Sequence, residues 1–208
     1  TEDIIADTVM HDRGVPYHVG HATSSGQLRV GTTPGNPVAT LTIEPGVIVR
    51  FKSGGVFEIE KAASDPKAKA SGALIARGTS DKPIRFTSAE ASPARGDWIG
   101  LSFGSIPDPN TVLDHVFVEW AGKEISGGAD SCMPGLTRAA IGIYGGQPAN
   151  EFITHTTIAH SNDGFMCGWR GGQVDFGASN FFDDVARCKQ TNPKDALGDC
   201  AGRPECAF

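Results

Sequence analysis

The chain has 208 residues and a formal net charge of −6, with 18 Lys and Arg against 24 Asp and Glu. Its length suffices for one domain with a substantial core. The acidic balance and the lack of a Lys/Arg cluster exclude a phosphate track for nucleic acid, and no apolar run approaches the roughly 20 residues of a membrane-spanning helix. The 27 Gly and 13 Pro are the composition of a chain with many tight turns.

Residues 1–38 read as an N-terminal lead-in or cap. Ile4, Ile5, Val9 and Met10 give 1–14 a brief amphipathic pattern, too short for a sustained element. The chain opens on Thr1 with no basic-plus-apolar leader, the start expected of a mature product or an excised domain.

From Ala39 onwards short alternating strands recur, separated by Gly-bearing turns. In ATLTIEPGVIVRFKSGG, Leu41, Ile43, Val47, Val49 and Phe51 fall on one face by twos. Pro45-Gly46 suits a type II turn, because Pro fixes the first corner and Gly accepts positive φ at the second. Val56, Phe57 and Ile59 continue the path. Residues 61–72, rich in Ala, Lys and Ser, form a loop. Leu74 to Arg77 and Pro83 to Ser88 are further strands, 89–95 a loop, and Trp98 with Gly100 opens the next strand. Strands of about five residues cannot stand alone. Stacked layers, in which each buries its neighbour's open edge, solve that problem.

A repeat supports stacking. NTVLDHVFVEW (110–120) matches NEFITHTTIAH (150–160) at an offset of forty, which puts His115 against His155 and Trp120 against His160. Ile99-Gly100-Leu101 matches Ile141-Gly142-Ile143 in the same way. Between the copies lies a long insertion, 123–138. Asn162-Asp163-Gly164 reads as a turn. Residues 179–188 read as a short helix capped by Ser179, with Phe182 and Val185 inward, or as one more strand layer.

All five cysteines lie at or beyond residue 132: Cys132, Cys167, Cys188, Cys200 and Cys206. The last three crowd a tail with little apolar matter to hold it down. Their spacings do not make zinc knuckles, so disulfides that confine the tail are expected, and with them an oxidising location. The odd count leaves one thiol over.

The segments LTIEPGVIVRF, ALIARGTSDKPIRFTS, GDWIGLSF and NTVLDHVFVEWAG resemble the right-handed parallel β-helix proteins of the pectin-lyase-like superfamily, in its secreted bacterial form. Gly72, Leu74, Ala76, Gly78, Thr79, Pro83, Ile84, Phe86, Thr87, Ser88, Gly96, Trp98 and Gly100 carry the likeness, which covers roughly residues 38–165. It implies an all-β, single-stranded parallel solenoid: lead-in 1–38, coils 39–178, and a disulfide-stabilised C-terminal cap or tail over 179–208, all one domain. The superfamily holds lyases, hydrolases, adhesins and inactive members, so the resemblance implies a fold more than an activity.

Several residue sets bear on function. His115 and His155 would share a column and could hold a metal with Asp114 or Glu119, or form a polar ladder at a bend. Asp163, Asp175, Asp183 and Asp184 could supply oxygen ligands to calcium, and Arg170 is the basic residue near them. Together Asp163, Arg170, Asp183 and Asp184 would serve a calcium-assisted lyase, while paired carboxylates such as Asp97, Asp114 and Glu119 would serve glycoside hydrolysis. Trp98, Trp120 and Trp169 could line a sugar groove or pack inside, and Trp169, Asp114 and Glu119 are the ligand-binding candidates. No GxSxG, HExxH or P-loop pattern is present. The leading expectation is a non-catalytic extracellular or envelope-located scaffold that binds a polysaccharide or a surface protein through loops 61–71, 89–96, 104–111 and 123–138. A polysaccharide lyase or hydrolase is the alternative, and an end-to-end self-assembling unit the third.

Overall fold

A computed structural model of the chain describes residues 3–31, 37–59, 70–124, 138–169, 174–193 and 200–202. The described residues are almost entirely β. The strands form successive triplets: β1 (Asp3–Ile4), β2 (Thr8–Met10) and β3 (Tyr17–Val19); β4 (Gln27–Val30), β5 (Ala39–Ile43) and β6 (Ile48–Phe51); β7 (Val56–Ile59), β8 (Gly72–Arg77) and β9 (Ile84–Ser88); β10 (Gly100–Phe103), β11 (Val112–Asp114) and β12 (Val116–Glu119); β13 (Ala139–Ile143), β14 (Ile153–Thr154) and β15 (Thr157–Ala159). After these come β16 (Asp163–Cys167), α1 (Phe176–Ser179), β17 (Phe181–Asp183), β18 (Gln190–Pro193) and β19 (Cys200–Gly202). The lead-in read over 1–38 thus contains β1 to β4.

Each triplet contributes one strand to each of three parallel sheets. Sheet A runs β1-β4-β7-β10-β13-β16-β18-β19, sheet B runs β2-β5-β8-β11-β14, and sheet C runs β3-β6-β9-β12-β15-β17. The chain visits A, B and C in rotation, and each strand from β1 to β12 pairs with the strand three places on. Past β16, α1 packs against β14 in the place sheet B would occupy. β19 runs antiparallel to β18, and every other strand pair among the described residues is parallel.

Register converts this winding into a core. In sheet A, Leu28, Phe57, Leu101, Ile141 and Phe165 align. In sheet B the column is Ile43, Ala76, Leu113 and Ile153. In sheet C it is Val49, Phe86, Val118 and Ile158. Apart from Leu28 at 9 %, none of these is more than 2 % exposed. Each such Leu, Ile, Val or Phe burial stabilises by about 1.5–3 kcal/mol. The inward set read from 41–51 is confirmed: Leu41, Ile43, Val47, Val49 and Phe51 are all buried. Gly46 has φ +90°, and Val47 N–H donates to Glu44 O at 3.3 Å, the geometry read for Pro45-Gly46.

The forty-residue offset is real and spans one rotation through the three sheets, with Leu113 opposite Ile153 and Val118 opposite Ile158. It holds in sheet A too, where Leu101 pairs with Ile141 and Phe103 with Ile143. The match of Ile99-Gly100-Leu101 to Ile141-Gly142-Ile143 is therefore slipped by two. A strand repeats its facing every second residue, so a slip of two preserves the alternation and hides the error.

Two local readings are corrected. Asn162-Asp163-Gly164 is no turn: Asp163 and Gly164 begin β16, and Asp163 is 4 % exposed. There Gly serves close approach, since a Cβ on Gly164 would meet the Lys189 carbonyl. The helix lies at Phe176–Ser179 instead of 179–188, with Asp175 as its N-cap, accepting from Gly177 N–H at 3.0 Å. Residues 181–183 form β17, and Phe182 and Val185 do pack on the core.

Trp98 is fully buried, stacked on Phe51 at 4.2 Å with a 5° interplanar angle, and its indole N–H donates to Glu119 O at 2.7 Å. It joins the layers of β6, β10 and β12. Trp98→Ala leaves a large cavity and an unpaired carbonyl. We expect a loss of about 3–5 kcal/mol, measured as a lowered urea midpoint. A loss under about 1 kcal/mol would show that this junction does not hold the layers together.

Candidate functional site

The corners between sheets bring the chemistry-bearing side chains together. Between sheets B and C, β11 passes to β12 through the single residue His115, and β14 approaches β15 through His155. Both adopt left-handed backbone, φ 51° and 47°, which costs a non-Gly residue roughly 1–2 kcal/mol. His is among the residues that tolerate it best. Because the corners are in register, the two imidazoles stack at 5.0 Å.

Asp114 sits beneath both rings. Its Oδ1 lies 2.8 Å from His155 Nδ1 and 3.3 Å from His115 Nδ1, and it accepts the Thr154 hydroxyl at 3.1 Å. Burial pushes the Asp114 carboxyl up, but the His155 and His115 imidazoles and the Thr154 hydroxyl outweigh it and hold it below the usual carboxylate range. His115 Nδ1 is itself buried and makes no well-directed hydrogen bond. These three residues form the one group among the described residues whose ligand atoms all lie within 4.8 Å of one another. His115 and His155 border a recess of about 290 Å³, whose lining also includes Thr79, Pro83, Phe117 and Phe181.

The corner between sheets C and A carries a second column: Trp120, His160 and Asp184, with φ 63°, 50° and 52°. His160 stacks on Trp120 at 4.3 Å, so it is the packed ring that its repeat position implies. Arg95 clamps this corner. Its guanidinium donates to Ser161 O at 2.7 Å, to Asp184 O at 2.9 Å and to Asp184 Oδ1 at 2.8 Å, while His160 Nδ1 lies 3.0 Å from Asp184 Oδ2. Sequence reasoning missed this clamp, since Arg95 and Asp184 are 89 positions apart.

The other acidic candidates lie apart from one another, most of them in local backbone or ion-pair contacts. Asp163 accepts the Cys188 N–H at 3.1 Å and lies 3.7 Å from Arg187 Nε. Asp175 caps α1, and Asp183 is exposed at the end of β17. Asp97 accepts the Ser88 hydroxyl at 2.6 Å and Ala94 N–H at 3.0 Å, fixing a turn. Glu119 pairs with Arg85 at 2.8 Å. The structure does not gather Asp163, Asp175, Asp183 and Asp184 into a metal-competent group, and Arg170 lies outside the described residues. Trp169, 8 % exposed, belongs to the core together with Trp98. Cys167 is a buried thiol in β16, and Cys188 is buried and disulfide-bonded. The side chains of Cys132, Cys200 and Cys206 lie outside the described residues, as does most of loop 123–138 and of loop 61–71.

A separate groove follows the corner between sheets A and B, with a volume of about 540 Å³. Ile106, Pro107, Pro109, Pro148 and Phe152 make its apolar wall, and Asp108 is its one charged lining residue among the described residues. Loop 104–111, expected as an outward face, shares this groove with 144–152, a loop the sequence marks as a turn through Gly-Gly-Gln-Pro but does not place opposite it. No helix among the described residues is long and apolar enough to cross a membrane. No family model, curated protein or solved structure matches the chain.

The Asp184 carboxyl is held below its ordinary range chiefly by His160 and then by Arg95, against a smaller opposing effect of burial. A depressed carboxylate contributes stability that is present above its unfolded value and fades as pH falls through its folded one. Asp184→Asn should therefore lower the melting temperature most near neutral pH. The gap to wild type should close as the pH is taken from about 7 to about 3. A gap that stays constant in thermal melts over that range contradicts this role.

Proposed function

We propose that the chain is a non-catalytic right-handed parallel β-helix domain of the pectin-lyase-like kind, secreted or held at the cell envelope, which binds a partner polypeptide in the groove between sheets A and B. The rotation through three parallel sheets supports the β-helix, and the disulfide bonding of Cys188 is in keeping with an oxidising location. Of the carboxylates offered for lyase or hydrolase chemistry, Asp97, Asp163, Asp175, Asp184 and Glu119 are committed to turns, caps and ion pairs, and Asp183 is exposed on β17 apart from them. That leaves scaffolding as the better-supported reading.

The groove is the observation that carries the binding role. Its walls are Ile, Pro and Phe side chains on inter-strand loops, where solenoids engage partners. Sugar sites present exposed aromatic rings among several polar groups, whereas here Trp98 and Trp169 are spent in the core. An extended segment with apolar side chains fits the wall, and a basic residue beside them complements Asp108 and the chain's negative charge.

The test uses extended synthetic peptides that alternate apolar residues with Lys or with Glu, titrated against the full chain by fluorescence anisotropy. The apolar-Lys peptides should bind, and Ala149→Lys, an exposed position on the groove rim, should weaken them at least about tenfold by repelling the peptide lysines. Two results overturn the reading. One is no binding by any peptide. The other is release of unsaturated ends from a uronate polysaccharide that Asp183→Asn abolishes.

A further inference from the structure

We infer that Asp114, His115 and His155 form a binding site for a divalent transition-metal ion, with zinc as the type ion, pinning two successive layers at the corner between sheets B and C. The site is independent of the groove and of any partner.

The ligand set has the right chemistry. Two imidazoles and one carboxylate are borderline donors that suit zinc, nickel or copper and are poor for calcium, which takes an all-oxygen shell. The spacing fits as well. Ligand atoms around a tetrahedral zinc lie about 3.3 Å apart; here Nδ1 of His115 and of His155 lie 3.3 and 2.8 Å from Asp114 Oδ1. A small opening of the triad admits the ion.

Three features go beyond the coincidence of ligand types. The buried His115 Nδ1 lacks a well-directed hydrogen bond, a state that calls for an explanation in a folded protein, and coordination supplies one. The Thr154 hydroxyl donates to the carboxylate oxygen at 3.1 Å and the Asp114 carbonyl accepts Gly78 N–H at 2.8 Å, so Asp114 is oriented by neighbours, as metal carboxylates are. Both histidines sit at left-handed corners in register, and their rings stack at 5.0 Å, which brings the two imidazoles together before an ion arrives. With three protein ligands, at least one coordination position remains for water or an incoming group, and the bordering recess gives it access.

The equivalent corner between sheets C and A supplies the control. His160 there stacks on Trp120 and pairs with Asp184, with no second imidazole. Calorimetric titration of chelator-treated full-length chain with zinc chloride should show one saturable equivalent. His155→Asn keeps a residue that accepts left-handed backbone and should weaken binding at least about tenfold. Asp114→Asn should do the same, and His160→Asn should leave it unchanged. Cobalt in place of zinc should give visible d–d absorption that His155→Asn removes. The inference fails if wild type shows no saturable zinc binding. It also fails if binding survives in both His155→Asn and Asp114→Asn, which assigns it to other histidines such as His11, His18 or His21.

Discussion

The vertical hydrogen-bond register between strands three apart is the constraint on which everything else rests. No strand among the described residues exceeds six residues, and several have two or three. Such segments do not persist alone. In parallel stacks each backbone donor and acceptor finds a partner in the layer above or below, and the same register lays Leu on Phe, Ile on Ala and Val on Phe in three inward columns. Hydrogen bonding and hydrophobic burial thus demand the same placement of each residue, which is the consistency expected of a sequence that specifies one structure.

Register also explains why the noteworthy side chains lie at corners. Where a strand ends and the path leaves its sheet, the next residue enters the left-handed region at these corners, and residues at equivalent corners stack. His115 over His155 and Trp120 over His160 are two outcomes of one rule. They differ in surroundings: Asp114, on the strand leading into its corner, meets both imidazoles, whereas Asp184 is itself a corner residue and is held by Arg95. A forty-residue spacing in sequence becomes about one strand spacing, about 4.8 Å, in space. That compression lets residues far apart in the chain share a ligand-sized site.

The sequence made the inward columns legible because alternation by twos is a strong signal over 39–59 and 72–88, and it made the histidine column legible through the repeat at 110–120 and 150–160. The slip of Ile99 onto Ile141 was invisible for the same reason that alternation is readable, since its period of two cannot distinguish registers that differ by two. Asp163 misled because Asn-Asp-Gly has turn chemistry, yet buried Gly164 is needed for close approach to Lys189, a tertiary demand no local window contains. Ser179 misled as a cap because Asp175, four residues earlier, does that work. Arg95 was silent in sequence, since its partners Ser161 and Asp184 lie two and three rotations further along the chain. The groove wall at 144–152 was silent too, because Pro and Gly announce a turn but not which loop it will face.

The most direct test of the account is an isotope-edited NMR measurement of interstrand proton contacts in the full chain. Parallel layers at an offset of forty predict α-proton to amide contacts linking Leu101 with the segment around Ile141, Leu113 with that around Ile153, and Val118 with that around Ile158, all running in one direction. Close α-proton to α-proton contacts across these pairs, the mark of antiparallel neighbours, would contradict the winding. So would contacts that couple Ile99 to Ile141 in place of Leu101.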